Sequence, residues 1–249
     1  MTHPLFYSPQ ATGSRIDDLI SLDRAASGHA IRSQRLQAKD PVLVSDGAGT
    51  LAEGVIQTAD PQSTQIRVTQ VSIQSQPRVR INLVQALAKA DRDLLAAQMA
   101  TELGVDAVTP WQAQRSIVRI RAERAEKILG KWRSKLQAAA QQSRRAIIPD
   151  LKDPMITTEV ARLHDPENGH HIVVLHEDGT TEIDHAVALT SGVQTLHIVV
   201  GPEGGVAPQE LAAIEQAGGT AVKIGHNVLR SSTAGPVAIT LLNQLLKRW

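Results

Sequence analysis

The sequence predicts an α/β fold: a mostly parallel sheet with flanking helices, preceded by a small β-barrel. Three observations point there. Residues 1–74 read as short strands separated by turn signals. From residue 75 onward, strand patterns alternate with helix patterns. Two of those strand patterns, at 171–175 and 195–200, are unbroken apolar runs of the kind buried on both faces of a parallel sheet.

Taken in order, residues 41–45 form a β run ending at Asp46-Gly47, a dipeptide suited to a hairpin turn. Residues 53–58 and 65–71 continue the pattern, with Ile66, Val68 and then Val71 flanking polar residues at a spacing near two. Short strands with regular turns suit a small barrel. Gln74-Ser75-Gln76-Pro77 reads as a linker, which divides the chain into domains 1–74 and 75–249. Residues 79–87 form the next strand pattern. Asp91 stands where an N-cap is expected, and Leu95, Met99 and Leu103 fall four apart along the following helix. Gly104 supplies a left-handed stop. Residues 105–111 return as a strand, and 122–145 read as a long helix with Ile128, Trp132 and Leu136 on one stripe. After the two buried runs come a helix at 208–217, a short strand at 220–224 and a final helix at 232–248. Pro236 is expected in that helix's first turn, where a missing N–H costs little. Lys247 and Arg248 are expected to complement its C-terminal dipole.

The length of 249 residues allows one large domain or two smaller ones. A hydrophobic fraction of 42% supports a sizeable core, and 2% aromatic residues make that core aliphatic. There is no cysteine, which excludes a disulfide framework, a thiolate zinc site and a cysteine nucleophile. The N-terminus lacks a basic stretch followed by a long apolar one, so no signal peptide or membrane span is expected, and the cytosol is the expected compartment. Net charge is +1, but it is unevenly placed. Residues 1–74 hold 6 Lys+Arg against 7 acids, residues 115–145 hold 10 against 2, and residues 146–249 hold 6 against 12. A basic block between neutral and acidic parts is what a nucleic-acid binder shows; a solvated helix face accounts for it equally well.

Two familiar patterns fail on context. Gly47-Ala48-Gly49-Thr50-Leu51-Ala52 has dinucleotide-binding spacing, but a strand follows it rather than a helix, so no helix N-terminus is present to hold a pyrophosphate. It reads as a hairpin turn. His164, His170, His171 and His176 lie close in sequence without metal-ligand spacing, and His176-Glu177 lacks a second His four residues on, so no metal site is expected.

Two loops remain. The strand at 195–200 runs into Gly201-Pro202-Glu203-Gly204-Gly205, and Pro208 then opens a helix. In open α/β sheets ligands bind beyond the carboxyl ends of strands, and glycines there let backbone approach a flat ligand closely. A simple strand-to-helix turn has the same local sequence. The second loop runs Gly225-His226-Asn227-Val228-Leu229-Arg230, followed by Ser231, Ser232 and Thr233 as potential caps of the last helix. Gly225 and Asn227 both tolerate unusual backbone angles. Arg230 stands beside a helix N-terminus, where the dipole disfavours a cation. A polar or anionic ligand explains it, as does an exposed surface position.

Together these loops resemble those of the SPOUT-class RNA methyltransferases, and within that class they are similar to the RsmE family, which methylates N3 of a uridine in 16S ribosomal RNA. Residues 89–92 through 101–105, 124–145, and 29–33 through 46–49 resemble, in turn, that family's first catalytic-domain helix, its basic helix and its PUA-like N-terminal barrel. The resemblance implies a SPOUT-type trefoil knot in the parallel-sheet domain, a homodimer, S-adenosylmethionine as cofactor, and small-subunit 16S rRNA as partner, with no membrane and no metal. The cofactor positions it implies are Leu175, His176, Gly201, Pro202, Glu203, Gly204, Gly205, Ile224, Gly225, Asn227, Leu229, Ser232, Thr233 and Ala234. Arg230 is then expected to stabilise negative charge developing on the base. Glu203 is expected to act as general base or as an anchor. Arg32, Arg35, Arg115, Arg119, Arg121, Lys127, Lys131, Arg133 and Lys135 are expected to meet RNA phosphates. The chain departs from the family pattern at Ser232, where Glu is usual, and at Gln98, where Lys is usual; each change removes a charge near the expected site. Two alternatives stand beside the main reading: a catalytically degenerate RNA-binding member of the family, and the same chemistry on another RNA. An ordinary hydrolase or dehydrogenase is disfavoured, because the chain has neither GxSxG nor a glycine fingerprint opening a helix.

Overall fold

The computed structural model describes residues 3–188 and 192–249. Met1 and Thr2, at the start of the N-terminal stretch read above, lie outside them. The chain forms two compact units: residues 1–76 together with 137–148, and residues 77–136 together with 149–249.

The first unit contains β1 (Leu5–Tyr7), β2 (Leu19–Ser21), α1 (Arg24–Gly28), β3 (Pro41–Ser45), β4 (Thr50–Thr58) and β5 (Gln65–Ile73). The strands form one mixed sheet in the order β1-β3-β4-β5-β2, antiparallel except where β1 runs beside β3. Register shifts at Glu53/Gly54 and Ile56/Thr58 mark irregularities of the kind that bend a strand and curl its sheet. Gly54 is required at the first of them, because a Cβ there would stand 2.5 Å from the Arg67 carbonyl oxygen. Phe6, Ile20, Val42, Val44, Ile56, Ile66 and Val68 fill the inside, so the spacing of two at Ile66 and Val68 points one face inward. The glycine-rich turn at 47–49 joins the antiparallel pair β3 and β4, as the hairpin reading expected. The segment 145–148 closes onto this unit: the Tyr7 hydroxyl donates to the Arg145 carbonyl at 2.8 Å, and the Ser45 hydroxyl to the Ala146 carbonyl at 2.7 Å.

The second unit contains β6 (Arg80–Ala86), α2 (Arg92–Glu102), β7 (Ala107–Gln112), α3 (Ala122–Gln142, whose last residues belong to the first unit), β8 (Asp150–Leu151), β9 (Met155–Ile156), α4 (Thr157–Ala161), β10 (His170–Leu175), β11 (Thr181–Glu182), α5 (Ile183–Ala188), β12 (Thr195–Val200), α6 (Pro208–Gln216), β13 (Thr220–Lys223) and α7 (Ser231–Leu245). Its sheet runs β11-β13-β10-β12-β6-β7-β8, with β9 also on β7, and every pairing among the described residues is parallel. Alternate residues of the apolar strands enter separate cores. Leu83, Val173 and Ile198 pack with Trp132, Leu136, Ala238 and Leu242. Val84, Val174 and Val199 pack with Trp111, Val206 and Ile214. That double burial is why those strands are apolar without a break.

Four expectations about helix detail are corrected. Asp91 precedes α2 with φ +54° and makes no side-chain cap; Asp93 instead accepts from the Leu94 and Ala88 N–H groups. The buried face of α2 is Leu94, Ala97, Ala100 and Thr101, while Leu95 is exposed, because α2 packs against α7 through its small residues. Pro236 is the sixth residue of α7, past the first turn, and is buried. Arg248 does not serve the helix dipole. Its guanidinium is buried in an ion pair with Asp106 at 2.9 Å and donates to the carbonyls of Val79 and Gly104.

Candidate active site

Strands β13, β10 and β12 are neighbours, and the loops leaving their carboxyl ends converge. Residues 176–178 follow β10, 201–205 follow β12, and 224–230 follow β13. Between them lies a cavity of about 680 Å³, large enough for a small molecule. The 201–205 loop is held tightly: the Gly205 N–H donates to the Pro202 carbonyl at 2.9 Å, and Gly205 has φ +73°. A Cβ on Gly201 would stand 2.9 Å from the Val206 side chain. Gly225 has φ +96° and turns the second loop; Asn227 does not adopt a positive φ.

Of the predicted cofactor positions, Leu175, His176, Gly201, Pro202, Glu203, Gly204, Gly205, Ile224, Gly225, Asn227, Leu229 and Ala234 line this cavity, and Ser232 and Thr233 do not. Ser232 is buried in the first turn of α7, and the Thr233 N–H donates to the Arg230 carbonyl at 2.8 Å. The helix is capped by that carbonyl and makes no side-chain cap hydrogen bond. Arg230 itself is exposed and lines the cavity. Glu203 is tied down by its Oε1, which accepts the Lys89 N–H at 3.1 Å.

Arg115 lines the cavity, and its guanidinium donates to the Gly204 carbonyl at 2.7 Å. The other basic candidates lie outside the cavity lining. Arg119 is exposed and donates to the Gln114 carbonyl; Arg121, Lys127 and Lys131 are exposed. Arg133 pairs with Glu126 at 2.7 Å on the surface. Lys135 is half-buried and reaches the Gln98 amide at 3.4 Å. Arg32 and Arg35 are exposed on the first unit. Gln98 bonds Glu102 and receives Lys135, and it does not line the cavity.

Several lining residues were not foreseen, Arg92 and Ser231 among them. Arg92, the first residue of α2, lines the cavity because β6 lies beside β12. Ser231 lines it too, and its hydroxyl is buried without a hydrogen-bond partner. Neither the neighbour order of parallel strands nor an orphaned hydroxyl has a local sequence signal. Among the described residues no group of three or more His, Cys, Asp or Glu side chains is arranged to hold a metal, and no helix is long and apolar enough to cross a membrane.

The family model for an RNA methyltransferase domain matches residues 74–243. A ribosomal RNA small subunit methyltransferase E of Mycobacterium bovis is 39% identical over 225 residues, covering 89% of this chain and 84% of the relative. The chain belongs to the RsmE family of RNA methyltransferases. Another RsmE member, from Bacillus subtilis, is 25% identical over 86% of both chains. In fold, the chain is similar to a crystal structure of the Neisseria gonorrhoeae RsmE enzyme bound to S-adenosylmethionine, with a TM-score of 0.86, 24% identity and 98% of each chain covered.

Proposed function

We propose that this chain transfers a methyl group from S-adenosylmethionine to N3 of a uridine in 16S rRNA of the small ribosomal subunit. The supporting observation is the crevice closed by the 176–178, 201–205 and 224–230 loops in a chain of the RsmE family. The crevice suits the cofactor on its own chemistry. It is of small-molecule size, two of its turns use positive-φ glycines, and the unpartnered Ser231 hydroxyl offers a buried polar contact.

When bound, the cofactor supplies an electrophilic methyl group; orientation and charge fall to the chain. The 201–205 and 224–229 backbones would hold the adenosine part, and their lining of one crevice would limit how donor and base meet. The target uridine leaves its stack to enter the crevice. As its N3 proton departs, negative charge grows on N3 and the two flanking carbonyl oxygens, and the Arg230 guanidinium stabilises it. Glu203, with one oxygen already on the Lys89 N–H, anchors the loop. The proton passes to water at the mouth. The exposed cations of the segment 115–135 hold phosphates, which adds affinity without sequence choice.

The same reading includes a trefoil knot in the parallel-sheet unit, a PUA-like barrel for RNA in domain 1–74, a catalytic domain 75–249, a homodimer and a cytosolic setting. The family model and the RsmE relatives support the main reading over the degenerate alternative; neither Ser232 nor Gln98 is among the residues lining the crevice. The test is transfer of tritiated methyl from S-adenosylmethionine to unmodified small subunits, with mass-spectrometric mapping of the product. N3-methyluridine at one site of 16S rRNA is expected. Failure to bind S-adenosylmethionine by calorimetry, or methylation confined to another RNA, would overturn it.

A further inference from the structure

The segment between β7 and α3 carries Arg115, and a buried carboxylate on another element sets its position. Glu210 lies in the first turn of α6 and is 6% exposed. Its Oε1 accepts the Gln114 N–H at 2.8 Å and also takes the Thr157 hydroxyl. Its Oε2 accepts the Ala207 N–H at 3.2 Å. One side chain therefore joins three places: the start of α6, which follows the glycine loop, the start of α4, and the residue next to Arg115. The segment is braced further by the Gln112 side chain, which accepts the Ile120 N–H at 2.8 Å, and by Arg119, which donates to the Gln114 carbonyl at 2.9 Å.

Arg115 is thus placed from two sides. Glu210 fixes its backbone neighbour, and the Gly204 carbonyl takes one of its N–H groups. Its stem lies along Gly204, where an added Cβ would stand 3.4 Å from the Arg115 Cβ. A guanidinium has five donors, so others remain available on this exposed side chain, which lines the crevice together with Arg92 and Arg230.

We propose that Glu210 is a positioning residue: it holds the 113–120 segment so that Arg115, seated on the Gly204 carbonyl, takes one phosphate of the RNA strand entering the crevice. This rests on the proposed function for the identity of the RNA. A cap confined to α6 would need only the Ala207 bond. The Gln114 bond carries the influence of Glu210 to the crevice.

The test is equilibrium binding of the full-length protein to small ribosomal subunits across a salt series, which needs no turnover. Arg115→Ala removes one phosphate contact. It is expected to weaken binding roughly tenfold, the worth of one charge-assisted hydrogen bond, and to lower the slope of log affinity against log salt by about one. Glu210→Ala, and Glu210→Asp, whose shorter side chain keeps the charge but withdraws from Gln114, are expected to give the same loss of slope. The double variant R115A/E210D is expected to match R115A alone. Glu210→Gln, which keeps an oxygen for the Gln114 N–H, is expected to restore most of the slope. The salt slope is the deciding readout, because Arg115 also lines the crevice and rests on the Gly204 carbonyl. An unchanged slope in both E210A and E210D, or an E210D loss that adds in full to that of R115A, would overturn the proposal; so would a wild-type chain that does not bind small subunits. A wild-type chain that binds but transfers no methyl group would count against the proposed function alone, and the slopes would still decide the role of Glu210.

Discussion

Arg230 places a cation at the N-terminus of α7, where the helix dipole opposes it, and no hydrogen bond from its side chain caps the helix. Arg230 is exposed and lines the crevice, and the proposed function assigns its charge to what enters there. Arg230→Ala should therefore leave folding intact and raise the methyl-transfer barrier by roughly 2–4 kcal/mol, the scale of losing one preorganised donor. Single-turnover rates on small subunits read this directly, and an unchanged rate would remove Arg230 from the chemistry. Glu203 admits a sharper distinction. With Oε1 on the Lys89 N–H, it needs only an oxygen acceptor to anchor its loop. Glu203→Gln keeps that acceptor, so turnover should stay within about tenfold of wild type, whereas loss of a general base would cost roughly 10²–10⁴-fold. A drop of the larger size would make Glu203 the base.

At the scale of elements, the end of α7 is held by chemistry that composition alone does not announce. The Arg248–Asp106 pair is almost fully buried, and Asp106 also accepts the Ile81 N–H at 2.7 Å. Removing one member leaves a buried charge without its partner, so Arg248→Ala should cost about 3–5 kcal/mol. Urea unfolding of the variant tests this; a loss below 1 kcal/mol would show the pair to be solvated. The sequence pointed to a dipole partner at Arg248 because a cation near a helix C-terminus usually needs no other account. The strands were legible because their signals are local. The run at 41–45 is β3, and 171–175 and 195–200 fall in β10 and β12. The stripe Ile128, Trp132, Leu136 was legible for the same reason: Trp132 and Leu136 are buried, with Ile128 packed beside them. The α2 stripe was misread because small residues carry little hydrophobic signal yet pack closest. Ala97 and Ala100 are fully buried while Leu95 faces out.

At the scale of the whole molecule, the two glycine loops could be read from the chain, but their convergence depends on the order β13-β10-β12-β6, which no local pattern encodes. The sheet that sets that order also buries Thr109, Asn82 and His197 in a polar row ending at the half-buried His170, one of the clustered histidines left without a role in the sequence. The Thr109 hydroxyl donates to the Asn82 Oδ1 at 3.1 Å, the Asn82 amide stands 3.0 Å from His197 Nδ1, and His197 Nε2 stands 3.1 Å from His170 Nδ1. The amide must donate to His197 Nδ1, so His197 carries its proton on Nε2 and is neutral in the fold. Burial, with the charges of His170, His164 and His171 adding to it, lowers its pKa to about 3. The unfolded chain takes a proton at this histidine below about pH 6.5, while the folded chain does not until about pH 3. The stability His197 contributes is therefore whole above pH 6.5 and falls as pH drops toward 3. The slope is about 1.4 kcal/mol per pH unit once the unfolded histidine is charged. His171, whose pKa is lowered mainly by burial, acts in the same direction. His197→Gln keeps an acceptor for Asn82 and does not titrate. Its urea-unfolding free energy should fall less between pH 6 and pH 4 than that of the wild type, by about 2–3 kcal/mol across that window. Equal pH slopes in the two proteins would mean that His197 is charged in the folded sheet.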